Sequence, residues 1–326
     1  MPQLGKASVD DKLATINDLA WAYRAARVLQ VANDLDIFGA IAGKELSADE
    51  VAQQVRCKPD MMKKLLIGCV AIGLLEKTGA RYRNAELSEK YLVAGRPLYQ
   101  GDIIAHAASV WRFWDRLQEQ IVLDGAHQGG KRDEHRNFIM GMHNIAVAGR
   151  AEMLIDNVDL SGRKRLFDVG GGPGTYSIAA CKRYRQLTAV VFDLPETIAI
   201  TREVIAAERL QDRVSVQEGN WDTDGFGADN DVVLLSNVLH GPSSNAQFKL
   251  RKAYNSLVAG GLVVIQEFLL NNEETGPVIP ALFNIMVGAY CEAELLDVVV
   301  QQGFGDAKVV VGCEELGCSW ITAAKD

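Results

Sequence analysis

Apolar positions at the start of the chain recur at helical spacing. Over residues 14–32, Ile16, Leu19, Tyr23, Ala26 and Leu29 share one face, widened by Trp21 and Val28, which predicts an amphipathic helix. A terminal helix with this much apolar surface needs a docking partner, either its own domain or a second copy. Residues 35–92 follow a shorter rhythm. Ser47-Ala-Asp-Glu50 is a capping box that opens a helix. Pro59 suits the first turn of a second helix running through Met62, Leu65, Leu66 and Cys69. Thr-Gly-Ala-Arg-Tyr-Arg-Asn at 78–84 then predicts two short strands around a glycine turn, so the segment reads as helix, helix and β-wing. Residues 101–155 read as all-helical around a polar loop holding Gly125, Gly129 and Gly130. Trp111 and Trp114 lie before that loop; Phe138, Met142, His143 and Arg150 lie after it.

From Leu166 the pattern changes. Apolar runs at 166–169, 188–192, 214–217, 231–235 and 262–267 alternate with helix-period segments at 175–184, 196–208 and 245–258. Continuous apolar runs between helices predict an α/β domain: a mostly parallel sheet with helices on both faces and its ligands beyond the carboxyl ends of the strands. Gly260-Gly261 is read as the turn from the last of these helices into its strand. Two further runs, 307–311 and 319–322, are expected as an antiparallel edge. The organisation expected is a winged-helix dimerisation domain at 1–100, a helical connector at 101–158 and a cofactor domain at 159–326.

Composition narrows the partners. The net charge of -8 argues against nucleic acid, because phosphate binding needs a basic face. The wing cations Lys58, Lys63, Lys64, Arg81 and Arg83 are the contacts a DNA-binding reading would use. With 48% hydrophobic residues in 326, the chain can bury sizeable cores, yet no apolar run reaches the length of a membrane span. The first residues are polar, with no signal-peptide core. Six cysteines without Cys-x-x-Cys spacing fit reduced thiols in a cytoplasmic protein. His106, His127, His135 and His143 form no metal-ligand spacing, and no metal is expected.

The candidate chemistry centres on Leu166-Phe-Asp-Val-Gly-Gly-Gly-Pro-Gly-Thr-Tyr176, an apolar strand running through a glycine turn into a helix. Gly170, Gly172 and Gly174 let a ligand approach the backbone, and the helix start offers free N–H groups. A dinucleotide fingerprint would need Gly or Ala at 175, where Thr stands. Acidic-x-Gly-x-Gly-x-Gly, read from Asp168, resembles motif I of class I S-adenosylmethionine-dependent methyltransferases. Asp193 ends the next strand about 20 residues on, where a ribose-binding acid belongs, with Leu194 beside it. Asn220 and Trp221 follow strand three, suited to an adenine edge and face. Ser236 ends strand four, His240 follows it, and Glu267 ends strand five.

With those residues in hand the chain resembles the small-molecule O-methyltransferases of the caffeate, acetylserotonin and hydroxyneurosporene type over nearly its whole length. The resemblance implies a Rossmann-like catalytic domain, S-adenosylmethionine as cofactor, a small-molecule methyl acceptor and a homodimer formed through the N-terminal domain. It places a catalytic His at His240 in Leu239-His240-Gly241-Pro242, an orienting acid at Glu267, and cofactor contacts at Asp168, Gly170, Gly172, Gly174, Asp193, Leu194, Asn220, Trp221 and Ser236. Acceptor contacts are expected from Trp114, Phe138, Met142, His143, Arg150 and Asn284. Two departures stand out. The Asp-Trp that follows the family's His is Gly241-Pro242 here, and its second flanking acid falls at Ala289. An oxygen acceptor deprotonated by His240 is the reading preferred. The alternative is an S-methyltransferase acting without a base on a small thioether carboxylate such as 4-methylthio-2-hydroxybutyrate, with Arg150, His143 or Arg112 holding the carboxylate.

Overall fold

The computed structural model describes residues 11–122 and 133–326. The polar segment at 1–10 and the glycine-bearing loop expected at 125–130 lie outside the described residues. Packing divides the chain into two units at points other than the segment limits expected from sequence. The first is built mainly from Asp133–Leu269 and Val287–Asp326, the second from Thr15–Arg132 and Leu270–Met286. The connector expected at 101–158 is therefore shared between them.

The first unit is organised by a seven-stranded sheet. Its strands are β1 Arg165–Val169, β2 Thr188–Asp193, β3 Val214–Glu218, β4 Asn230–Ser236, β5 Leu257–Glu267, β6 Phe304–Cys313 and β7 Cys318–Lys325. Spatially they run β6-β7-β5-β4-β1-β2-β3, and only β7 is reversed, pairing antiparallel with both β5 and β6 to give the antiparallel pair expected at that edge. Side chains alternate between two cores. Leu166, Val191, Val232, Leu234 and Val264 join one face; Phe167, Val169, Phe192, Val233 and Leu235 join the other. Burial on both faces is why these strands read as unbroken apolar runs. The order reverses between β1 and β4, so the crevice for a ligand opens at their carboxyl ends.

One boundary differs from expectation. The helix before β5 is Ala246–Ser256, and β5 begins at Leu257, so Gly260 and Gly261 lie inside the strand. Leu257 pairs with Asn230, and a register shift follows before Leu262 meets Val232. Pairing with β4 therefore extends the strand back through the two glycines.

The second unit carries the helix–helix–wing. Ser47 and Glu50 form the reciprocal capping box, Pro59 opens the helix Pro59–Ala71, and the strands Leu75–Thr78 and Arg81–Asn84 pair as the wing. Val28, Phe38, Val51, Met62, Leu66 and Tyr82 form its core. The amphipathic N-terminal segment is two abutting helices, Asp11–Trp21 and Tyr23–Asp34. Three of the five wing cations are paired with acids: Lys63 with Glu274 at 2.7 Å, Arg81 with Glu50 at 3.1 Å and Arg83 with Glu76 at 2.5 Å. Among the described residues no helix is long and apolar enough to cross a membrane.

Candidate active site

The glycine turn leaves β1 with Gly170, Gly172 and Gly174 all at positive φ. At Gly170 the need for glycine is also steric: a Cβ would come within 2.5 Å of the Trp221 ring. A Cβ on Gly172 would point into open space, so a ligand can lie there. The Asp193 carboxylate, at the end of β2, accepts from Gly172 N–H at 2.8 Å and from Leu194 N–H at 2.7 Å. Burial raises its pKa, and those N–H groups oppose the rise.

Asp168 differs from the ligand-facing acid expected. Strand alternation puts it on the face of Leu166, under the helix Thr175–Arg183, where it is fully buried. Its Oδ2 accepts from Ser177 Oγ at 2.7 Å, and its Oδ1 has no partner among the described residues. Burial pushes the carboxyl up to about 7.

His240 follows the end of β4, beside Glu267 at the end of β5. His240 Nδ1 lies 3.0 Å from Glu267 Oε2, and Glu267 Oε1 accepts from Leu239 N–H at 2.7 Å. A carboxylate only accepts, so Nδ1 donates and the neutral ring presents Nε2 as its acceptor. Glu267 is 2% exposed, so both ends of this interaction are fixed by the fold. Phe268 stacks on the imidazole at 5.8 Å between ring centroids. Gly241 follows at φ 56°, and a Cβ there would meet Ala289 N at 3.0 Å. The residue standing where a second acid was looked for is thus packed against this loop through its backbone. Ser236 Oγ donates to Gln266 Oε1 at 2.7 Å.

The other predicted residues have the following surroundings. His143 was expected on the acceptor, yet its Nδ1 is 2.8 Å from Thr175 Oγ1, at the helix start after the glycine turn. Arg150 is buried, donating to the Leu316 carbonyl and lying over Phe268. Asn220 uses its carboxamide oxygen on Asp222 N–H within its own turn, and Lys249 Nζ sits over the Trp221 ring at 4.7 Å. Phe138 is exposed and Met142 half-buried on the helix Glu134–Ile145. Trp114 and Asn284 belong to the second unit, the first exposed and the second buried.

Sequence reasoning missed two positions. His135 lies eight residues before His143, two helical turns away on the same face, and its Nε2 is 3.2 Å from Thr197 Oγ1 at the start of the helix after β2. The i, i+8 spacing of these histidines was the available signal. Lys249 is 5% exposed and donates to the Val238 carbonyl at 2.8 Å, bracing the His240 loop. Its local sequence carries no such signal. Among the described residues no cluster of three His, Cys, Asp or Glu is arranged to hold a metal ion.

Comparison with known proteins decides the class. An O-methyltransferase domain profile matches residues 124–304, and an O-methyltransferase dimerisation domain profile matches residues 17–94. The chain belongs to the O-methyltransferase family. Similar relatives include the 3-hydroxy-5-methyl-1-naphthoate 3-O-methyltransferase of Streptomyces sahachiroi, 32% identical over 90% of each chain. The acetylserotonin O-methyltransferase of Gallus gallus is 26% identical, covering 81% of this chain and 82% of that one. Among solved structures, an O-methyltransferase family 2 protein from Planctomyces limnophilus DSM 3776 in complex with apigenin shares the fold. It has a TM-score of 0.83 at 24% identity, covering 99% of this chain and 98% of that one. The chain is thus an S-adenosylmethionine-dependent methyltransferase with a dimerisation domain. The open space at Gly172 and the partly exposed Asp193 carboxylate fit a nucleoside donor.

Proposed function

We propose that this methyltransferase acts on a hydroxyl oxygen of a small aromatic molecule, with His240 as general base and Glu267 as the residue that orients it. The observation that carries the reading is the 3.0 Å contact of His240 Nδ1 with a buried carboxylate whose other oxygen is already tied to Leu239 N–H. Two relatives named for oxygen transfer, to a hydroxynaphthoate and to acetylserotonin, support the same class of acceptor.

Gly170, Gly172, Gly174, Asp193, Leu194, Asn220, Trp221 and Ser236 would hold the donor. When bound, S-adenosylmethionine supplies a methyl group on a cationic sulfur. The chain's own task is alignment, exclusion of water and removal of the acceptor's proton. A phenol, with pKa about 10, attacks poorly while protonated. His240 Nε2 takes that proton as the oxygen attacks, and Glu267 stabilises the imidazolium through Nδ1–H. Met142 and Phe138 are the acceptor-wall candidates on this unit.

Replacing His240 with Gln tests the reading. Single-turnover methyl transfer should slow about 10²–10⁴-fold, with S-adenosylhomocysteine still bound. Unchanged turnover would remove the base and transfer the assignment to a sulfur nucleophile such as a thioether acid, which carries no proton to lose.

A further inference from the structure

Arg150 directly follows Gly149, whose φ of 128° makes the kink between the helices Glu134–Ile145 and Ala151–Asn157. The residue is 3% exposed. A guanidinium always carries its charge and has five N–H donors. One nitrogen of Arg150, Nη2, donates to the Leu316 carbonyl. Its Nε is buried without a partner, and no described carboxylate pairs with the group. Its charge acts on the Tyr176 hydroxyl and the Cys318 thiol, neither of which is a carboxylate. It also lies over the Phe268 ring, whose centroid is 5.4 Å from the guanidinium carbon. The same ring stacks on His240 at 5.8 Å, so the unpaired charge and the base share one neighbour.

A buried charge with no counter-ion is costly to a fold, and a single ring face compensates only part of that cost. A carboxylate would compensate it, because its two oxygens match the guanidinium fork. We infer that Arg150 receives a carboxylate within the methyl-transfer site, an inference that rests on the site reading given above. The carboxylate comes from one of two sources: an acid acceptor, or the amino-acid end of the donor. In both, the bond formed is the same charge-assisted pair.

The test is calorimetric titration of the full chain and its Arg150→Met and Arg150→Lys variants with two matched pairs of probes. The donor pair is S-adenosylhomocysteine against methylthioadenosine, which lacks the amino-acid end. The acceptor pair, titrated with S-adenosylhomocysteine present, is 3-hydroxybenzoate against its methyl ester. In one pair Arg150→Met should weaken the carboxylate member about 10- to 100-fold more than its uncharged partner, and Arg150→Lys less. Selective loss in the donor pair assigns the carboxylate to the donor; selective loss in the acceptor pair makes the acceptor an acid. Equal change in both members of each pair, or none, overturns the inference. Should Arg150→Met fail to fold, the Lys variant reads the same pairs with a smaller loss. Because the readout is binding, a chain that moved no methyl to oxygen would defeat the proposed reaction and leave this result standing.

Discussion

Glu267 uses one carboxylate oxygen on Leu239 N–H and the other on the His240 imidazole, so a single buried acid sets both the loop and the ring. Glu267→Gln should keep the fold and slow turnover, because an amide no longer stabilises an imidazolium; single-turnover rates of the two proteins check this. Asp168 supports a different prediction. Burial raises its carboxyl from 3.8 to about 7; the Ser177 bond opposes the rise and Asp193 adds to it. Between those values the folded chain holds a proton that the unfolded chain has released, so this group's contribution to stability falls as pH rises through the window. Asp168→Asn cannot ionise and loses that slope. Melts of the donor-free protein should show the variant gaining on the parent from about pH 4 to about pH 8, and a constant gap would refute the assignment. His240, Glu267 and Asp193 were legible in sequence because each ends or follows a strand at the ligand edge. The burial of Asp168 was not, because it depends on which face of β1 the helix Thr175–Arg183 covers.

At the scale of elements, two close approaches shape the site. The glycine turn touches Trp221, and the His240 loop touches the Gly288–Ala289 backbone. Gly241 combines that contact with φ 56°, so Gly241→Ala is strained on both counts. With ψ at −178° the position lies in a region essentially restricted to glycine, and a cost of about 1–3 kcal/mol is expected from the dihedral alone. Thermal unfolding measures the loss, and turnover should fall with the displaced loop more than S-adenosylhomocysteine affinity does. Periodicity located the five parallel strands and the wing because each is a local apolar run or a turn signal. It misplaced the start of β5, since Leu257 joins the strand only through its pairing with Asn230. The family's Asp-Trp after the His is absent here, and the space against Gly241 is filled by backbone.

At the scale of the whole molecule, the dimerisation domain leaves Ile16, Leu19 and Tyr23 exposed at 63%, 76% and 51% in the single chain. We propose that this face is buried against a second copy. Sedimentation at micromolar concentration should then show a dimer, and Leu19→Asp should shift it toward monomer; a monomeric parent would defeat the proposal. What the sequence determined by itself was local in origin: helical and strand periods, caps, the glycine turn and the acids at strand ends, all written within a few residues of one another. The two histidines over the cofactor-side helices, the unpaired charge of Arg150 and the grouping of residues 270–286 with the second unit were decided only by tertiary structure. Each brings together or encloses residues from separate segments, and local periodicity carries no information about which segments meet.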